Sequence, residues 1–325
     1  MTESADPLFL AAVEAAIRAP SLHNTQPWRF RMRDGAMEVL ADPSRQLPAA
    51  DPHGWAQRLA CGAAAFNARL AFAVAGHPTQ VRLRPDPDDP QLLARLTPGE
   101  PHPPSPAEKE LYAAIPLRHS NRQPFNAEPV PAQVRRHLVD AARTEGAWLD
   151  LLIGRGPLAV VAEVVRAADT NLIRDPAYRR ELQEWSRRSS APDGVPVEAG
   201  GPSPEPQDLL AMRDFGGPTR APGRDYETDP LVAVLGTAGD TILDQLVAGQ
   251  ALQRVLLTAT VQGLATTPLS QPLELPRLRL LMTDRDVSAY PQVVLRIGYG
   301  PAGVPSPRRP LDDVVDRTGL PAATE

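Results

Sequence analysis

The chain has 325 residues, with 34 Lys and Arg against 39 Asp and Glu for a formal charge of −5; 42% of residues are hydrophobic and 22% charged. These are ordinary globular proportions, which exclude a largely disordered chain, and at roughly 100–200 residues per domain the length fits about two domains or one composite. The acidic balance and only 5% aromatics exclude a nucleic-acid surface, which needs a basic stripe and stacking platforms.

In chain order, residues 8–18 place Leu8, Ala12, Ala15 and Ala16 on one helical face, and Pro20 ends that helix. Residues 28–33 and 37–41 alternate around Asp34-Gly35, which predicts a hairpin. Residues 57–75 form a long helix of small apolar residues, expected to be buried on most sides. Residues 85–107, dense in proline, read as an extended linker. A strand at 147–153 leads into Gly154-Arg155-Gly156-Pro157-Leu158-Ala159, which imitates a dinucleotide-binding loop. The following 176–188 reads as helix, not as the second strand with a terminal acid, so a plain strand-to-helix turn is expected. Residues 189–206 are rich in proline and glycine and read as an irregular excursion. A second long helix at 243–262 and a last strand at 291–300 follow.

Cys61 is the only cysteine, so neither an intrachain disulfide nor a thiolate metal cluster can form. The six histidines are scattered without an H-x-x-x-H pair, so no metal site is expected. Glu3, Asp6 and Glu14 without a basic leader do not read as a signal peptide, and no apolar run approaches the ~18 residues of a membrane span. A cytoplasmic protein without membrane partners is the expectation. His119 and Ser120 are adjacent, but no G-x-S-x-G elbow accompanies them, so a hydrolase is not supported.

The order of elements repeats. Leu59, Gly62, Ala64, Leu70, Val74 and Gly76 match Leu246, Gly249, Ala251, Leu257, Val261 and Gly263 at a constant spacing of 187 residues (Gly76 to Gly263). The helix ends at Arg18 and Arg143 match at a spacing of 125 (Arg18 to Arg143), so the second half carries extra chain where the excursion lies.

Two segments carry candidate chemistry. Pro20-Ser21-Leu22-His23-Asn24-Thr25-Gln26-Pro27-Trp28 is a polar loop between helix and strand; alone it reads as a capped turn with Trp28 in the core. Arg118-His119-Ser120-Asn121-Arg122 is a basic turn, and two arginines with a serine suit a phosphate because guanidinium pairs bidentately with its oxygens.

Together these segments resemble the two flavin-contacting motifs of the nitroreductase family, R-H-S-x-K/R and P-S-x-x-N-x-Q-P-W. In that family both stand in one subunit, R-H-S first, and a homodimer builds two FMN sites at its interface. Here the first half keeps P-S-x-x-N and the second keeps R-H-S, where Thr144-Glu145-Gly146-Ala147-Trp148 replaces the loop. The resemblance therefore implies an α+β, nitroreductase-like fold in which two half-repeats form a fused pseudodimer, with central sheets flanked by helices and one surviving site. It implies a first repeat at 1–84, a linker at 85–112 and a second repeat at 113–325, with a lid-like insertion at about 185–229. The chain most resembles the internally duplicated actinobacterial members of the family, in which a lid shields the flavin.

For the cofactor FMN, the resemblance implies phosphate contacts from Arg118, Ser120 and one or both of Arg308 and Arg309. It implies ribityl or ring-edge contacts from His119 and Asn24, beside Pro20 and Ser21, and a cation, Arg122, near the ring carbonyls. The backbone of Leu269, Ser270 and Gln271 would lie near the reactive edge, with Gln271 narrowing the pocket. The flavin carries the chemistry, so no catalytic side chain is expected. Two functions stay open: NAD(P)H-dependent reduction of small nitroaromatic or quinone-type acceptors, and sequestration of FMN with little turnover. The pseudodimeric chain fits a monomer or a further assembly.

Overall fold

The computed structural model describes residues 6–187, 191–205, 208–219, 230–282 and 289–316. Helix α1 (Pro7–Ala16) starts behind Asp6, whose carboxylate accepts from the Leu8 amide, and Pro7 takes a first-turn position where its missing N–H costs nothing. Strands β1 (Trp28–Arg33) and β2 (Ala36–Ala41) pair antiparallel around Asp34 and Gly35. Both turn residues have positive φ, 50° and 70°, as a tight primed turn requires. Helix α2 (Trp55–Val74) is buried around most of its circumference.

Strand β3 (Thr79–Leu83) follows, and β4 (Leu92–Pro98) corrects the reading of 85–107 as an extended linker. Strand β4 sits between β2 and β3, and Leu92, Leu93, Ala94 and Leu96 are buried. The stretch from Gln91 to Thr97 is free of proline, so it can donate to both neighbours, and Pro98 falls at the strand's last position. Helix α3 (Pro106–Ala114) follows, closed by a Ser105–Glu108 capping box.

The second half contains α4 (Ala132–Thr144), β5 (Trp148–Leu152), α5 (Arg155–Arg174) and α6 (Pro176–Trp185). A two-strand ribbon of β6 (Ser186–Arg187) and β7 (Val195–Pro196) opens the excursion. Strand β8 (Leu231–Thr237), α7 (Ile242–Val261), β9 (Ala265–Leu269), the short α8 (Pro276–Arg279) and β10 (Tyr290–Gly298) complete this half. Its sheet, in the order β5-β8-β10-β9, is antiparallel at every pairing. A dinucleotide-binding loop needs a parallel βαβ unit, so the Gly154–Gly156 segment is the expected turn, with Gly154 at φ 91°. The chain then crosses over: α9 (Leu311–Val314) leads into β11 (Val315–Asp316), which pairs parallel with β1 at the edge of the first sheet.

Helices α2 and α7 cross at the centre. A methyl added to Gly62 would overlap the Leu246 carbonyl oxygen, and one on Gly249 would overlap that of Leu59. These four residues are two matched pairs of the repeat, so equivalent positions meet where the backbones touch. Arg58 donates to Gln245 at 2.6 Å and Gln253 to Asn67 at 2.8 Å across the same crossing. The cores interlock: Leu246 and Leu257 pack into the first half's core, while Trp55, Ala56 and Leu59 pack into the second's.

Candidate functional site

After α1 the chain turns through Leu22–Asn24, and His23, Asn24 and Gln26 all adopt positive φ (51°, 56° and 51°). Three left-handed non-glycine residues within four positions persist only if their surroundings fix them. The Ser21 hydroxyl accepts from the Gln26 amide at 2.9 Å, and the Gln26 side-chain oxygen accepts from the Arg309 amide at 2.8 Å. The Asn24 amide group donates to the Gly194 and Pro307 carbonyls at 2.9 and 3.1 Å.

The R-H-S turn lies between α3 and α4. Ser120 bridges to Thr266 at the start of β9, and the Asn121 amide donates to the Thr266 carbonyl at 2.9 Å. This pins Arg118 beside the end of α1, where one of its terminal nitrogens, Nη2, donates to the Arg18 carbonyl at 3.2 Å. Arg308 donates to the same carbonyl at 3.3 Å and to the Asn24 side-chain oxygen at 3.0 Å. Arg118 Nε and Nη1 and Arg308 Nε are buried without a hydrogen-bond partner. Burial pushes the Arg118 pKa down to about 10; burial, then the charges of Arg118 and Arg18, pushes Arg308 down to about 9. His119 is pushed down to about 4 by burial and then by Arg118, Arg308 and Arg18, so it is neutral. Buried cations normally have a carboxylate partner; among the described residues none pairs with either arginine. An anion with several oxygens is the ligand this cluster fits.

Beside it opens a cleft lined by residues of both halves and of the excursion. Pro20, Ser21 and His23 line it from the first half, with Trp55 and Leu59 of α2. Ser120, Arg122, Leu269, Ser270 and Gln271 line it from the second. Met212, Arg213 and Phe215 line it from the excursion.

The expected site residues thus fall into two adjoining groups, with two exceptions. Arg309 turns away: it donates to the Gln26, Trp28 and Asp313 carbonyls at 3.2, 3.5 and 2.7 Å and lies 3.6 Å from Asp42. It ties the C-terminal segment to β1, leaving Arg308 as the phosphate candidate of the pair. The Asn24 side chain is taken up by Gly194, Pro307 and Arg308, so it braces the site from outside. Gln271 does line the cleft, but its amide donates to the Ala211 carbonyl at 3.1 Å and so also holds the excursion.

The excursion docks through specific contacts. Arg122 donates to the Ala199 carbonyl at 2.9 Å and lies 4.7 Å from the Phe215 ring centroid. Gly201, at φ 76°, approaches Arg122 so closely that a methyl there would overlap its backbone. Arg45 pairs with Asp193 at 2.8 Å, and Arg213 with Glu274 at 2.5 Å in the interior. Residues 188–190, 206–207 and 220–229 of the expected 185–229 lid lie outside the described residues.

Sequence reasoning missed His23, Arg18, Met212, Arg213 and Phe215. His23 occupies an unspecified position of its motif. Leu209, Leu210, Met212 and Phe215 form an apolar island in otherwise Pro- and Gly-rich chain, a legible sign that the segment docks on something. Among the described residues no helix is long and apolar enough to cross a membrane, and no group of His, Cys, Asp and Glu is arranged for a metal.

No family model matches the chain. It is 36% identical over 311 residues to the Mycobacterium tuberculosis protein named "Putative NAD(P)H nitroreductase Rv3131", covering 93% of this chain and 89% of that one. It is 31% identical over 314 residues to "Putative NAD(P)H nitroreductase acg" of the same organism, covering 94% of each. A solved structure of a Bacteroides fragilis nitroreductase with bound FMN aligns with 66% of this chain and 99% of its own, at 13% identity and a TM-score of 0.38.

Proposed function

Because the chain belongs to the nitroreductase family, we propose that it binds one FMN in the cleft between its halves and is an NAD(P)H-dependent oxidoreductase of small nitroaromatic or quinone-type acceptors. The observation that carries this reading is the Arg118–Arg308 pair, whose buried, unpartnered donors adjoin the cleft. Bound there, FMN would supply the hydride chemistry, so no nucleophilic side chain is required. Arg118 and Arg308 neutralise the phosphate, and neutral His119 adds a donor without adding charge. Ser21 and Ser120 line the cleft and add hydroxyls to it. Arg122 places a fixed positive charge on the cleft wall, which raises the reduction potential of a ring held against it. Met212 and Phe215 add apolar surface to the cleft from the excursion.

The docked excursion favours a second reading, in which the chain holds FMN and turns over little. The two are separated by mixing FMN-loaded protein anaerobically with NADH or NADPH and following the flavin's visible band. Prompt bleaching, with return of colour on adding a quinone, supports the oxidoreductase. A band that persists with both nucleotides supports sequestration, and a protein that takes up no flavin contradicts both.

A further inference from the structure

His23 is 3% exposed and lines the cleft, and neither ring nitrogen has a hydrogen-bond partner. Burial, then the charges of Arg213 and Arg122, holds its pKa well below the ordinary value, so the ring is neutral with one N–H and one bare nitrogen. A left-handed backbone at φ 51°, ψ 19° places it there. Arg213 reaches the same cleft from the excursion. Its Nη2 is fixed by Glu274 at 2.5 Å, while its Nε is buried without a partner. The edge of the His23 ring meets Phe215, with centroids 5.9 Å apart. Among the described residues no Asp or Glu lines the cleft.

Resting on the functional reading above, we propose that His23 and Arg213 form an acceptor subsite that takes a ring-bound oxygen, carbonyl or carboxylate, and rejects cationic rings. Two buried N–H groups without acceptors, in a cleft whose apolar lining includes Phe215, Met212 and Leu269, call for a flat, largely apolar ligand with an oxygen at one edge. A cationic ring would meet the positive charge of Arg122, and among the described residues no carboxylate lines the cleft to hold it. The excursion therefore selects the acceptor as well as covering the cleft.

The test is calorimetric titration of the purified protein with benzoate and, separately, with benzamidine. FMN content is measured in parallel by absorbance. Benzoate is expected to bind, and benzamidine at least about tenfold more weakly. His23→Ala should weaken benzoate about tenfold or more at unchanged FMN content, as expected for loss of a hydrogen bond to a charged group. His23→Asn, which tolerates the left-handed backbone and restores an N–H, should recover most of the loss. Arg213→Met made together with Glu274→Gln, so that no carboxylate is stranded, should also weaken benzoate. Equal binding of the two probes, a His23→Ala variant within twofold of wild type, or loss of FMN in step with benzoate would overturn the subsite. Failure of the functional reading is distinct: a protein that takes up no FMN, whatever it does with benzoate.

Discussion

Arg118 is a buried cation and Arg308 a half-buried one, and among the described residues neither has a carboxylate partner, an arrangement that costs the ligand-free protein stability. Arg118→Ala and Arg308→Ala should therefore leave the FMN-free melting temperature unchanged or higher. FMN affinity should fall by about 1.5–3 kcal/mol each, roughly 10- to 150-fold, as for charge-assisted bonds. Arg309→Ala is predicted to behave in the opposite way in the FMN-free protein, lowering the melting temperature by releasing β11 from β1. Fluorescence titration and thermal melts on the three variants check this. His119 adds a pH signature. Its folded pKa of about 4 lies below the ordinary value near 6.5, so between those values the unfolded chain binds more protons and stability falls as pH falls. Asp51, pushed up to about 6 by burial, acts in the opposite sense over part of that range, so the comparison is with a variant. His119→Asn in FMN-free protein should flatten the loss of melting temperature between pH 6.5 and pH 4; an unchanged slope would remove His119 from the account. At this scale the R-H-S arginine and serine were legible because their chemistry is explicit. Arg308 and Arg309 could not be told apart, since only the fold decides which side chain turns towards Arg18.

Helices α2 and α7 carry the architecture, and their contact depends on two glycines. Gly249→Ala should destabilise the chain by about 1–3 kcal/mol, because neither backbone can retreat from the added methyl. Gly156, in the first turn of α5, has open space around it, and Gly156→Ala should instead stabilise by about 0.4–1 kcal/mol. Chemical denaturation of both variants checks the contrast. The long helices and the hairpin could be read from residue pattern, since small-residue runs and Asp-Gly turns act locally. Strand β4 could not: prolines on both sides hid seven residues whose partners, β2 and β3, lie elsewhere in the sequence. The excursion's dock was hidden for the same reason, because Arg122, Glu274 and Arg45 are distant in the chain.

Across the whole molecule, the proposed site draws on both halves. The first half supplies the left-handed turn at His23, the second supplies R-H-S and the excursion, and the C-terminal segment returns with Arg308 before pairing at β1. Phe215 touches both Arg122 and His23, so Phe215→Ala should speed FMN release in a chase experiment without changing the fold. An unchanged rate would leave the excursion no part in retention. The internal repeat, legible at a spacing of 187 residues, suggests two sites, but the motifs are divided so that only one full set exists. The most direct measurement is the stoichiometry of FMN at saturation, by equilibrium titration of flavin-free protein. One FMN per chain, abolished at working concentrations by combining Arg118→Ala with Arg308→Ala, is the predicted result. Two per chain, none, or one that survives the double substitution would contradict a single site shared between the halves.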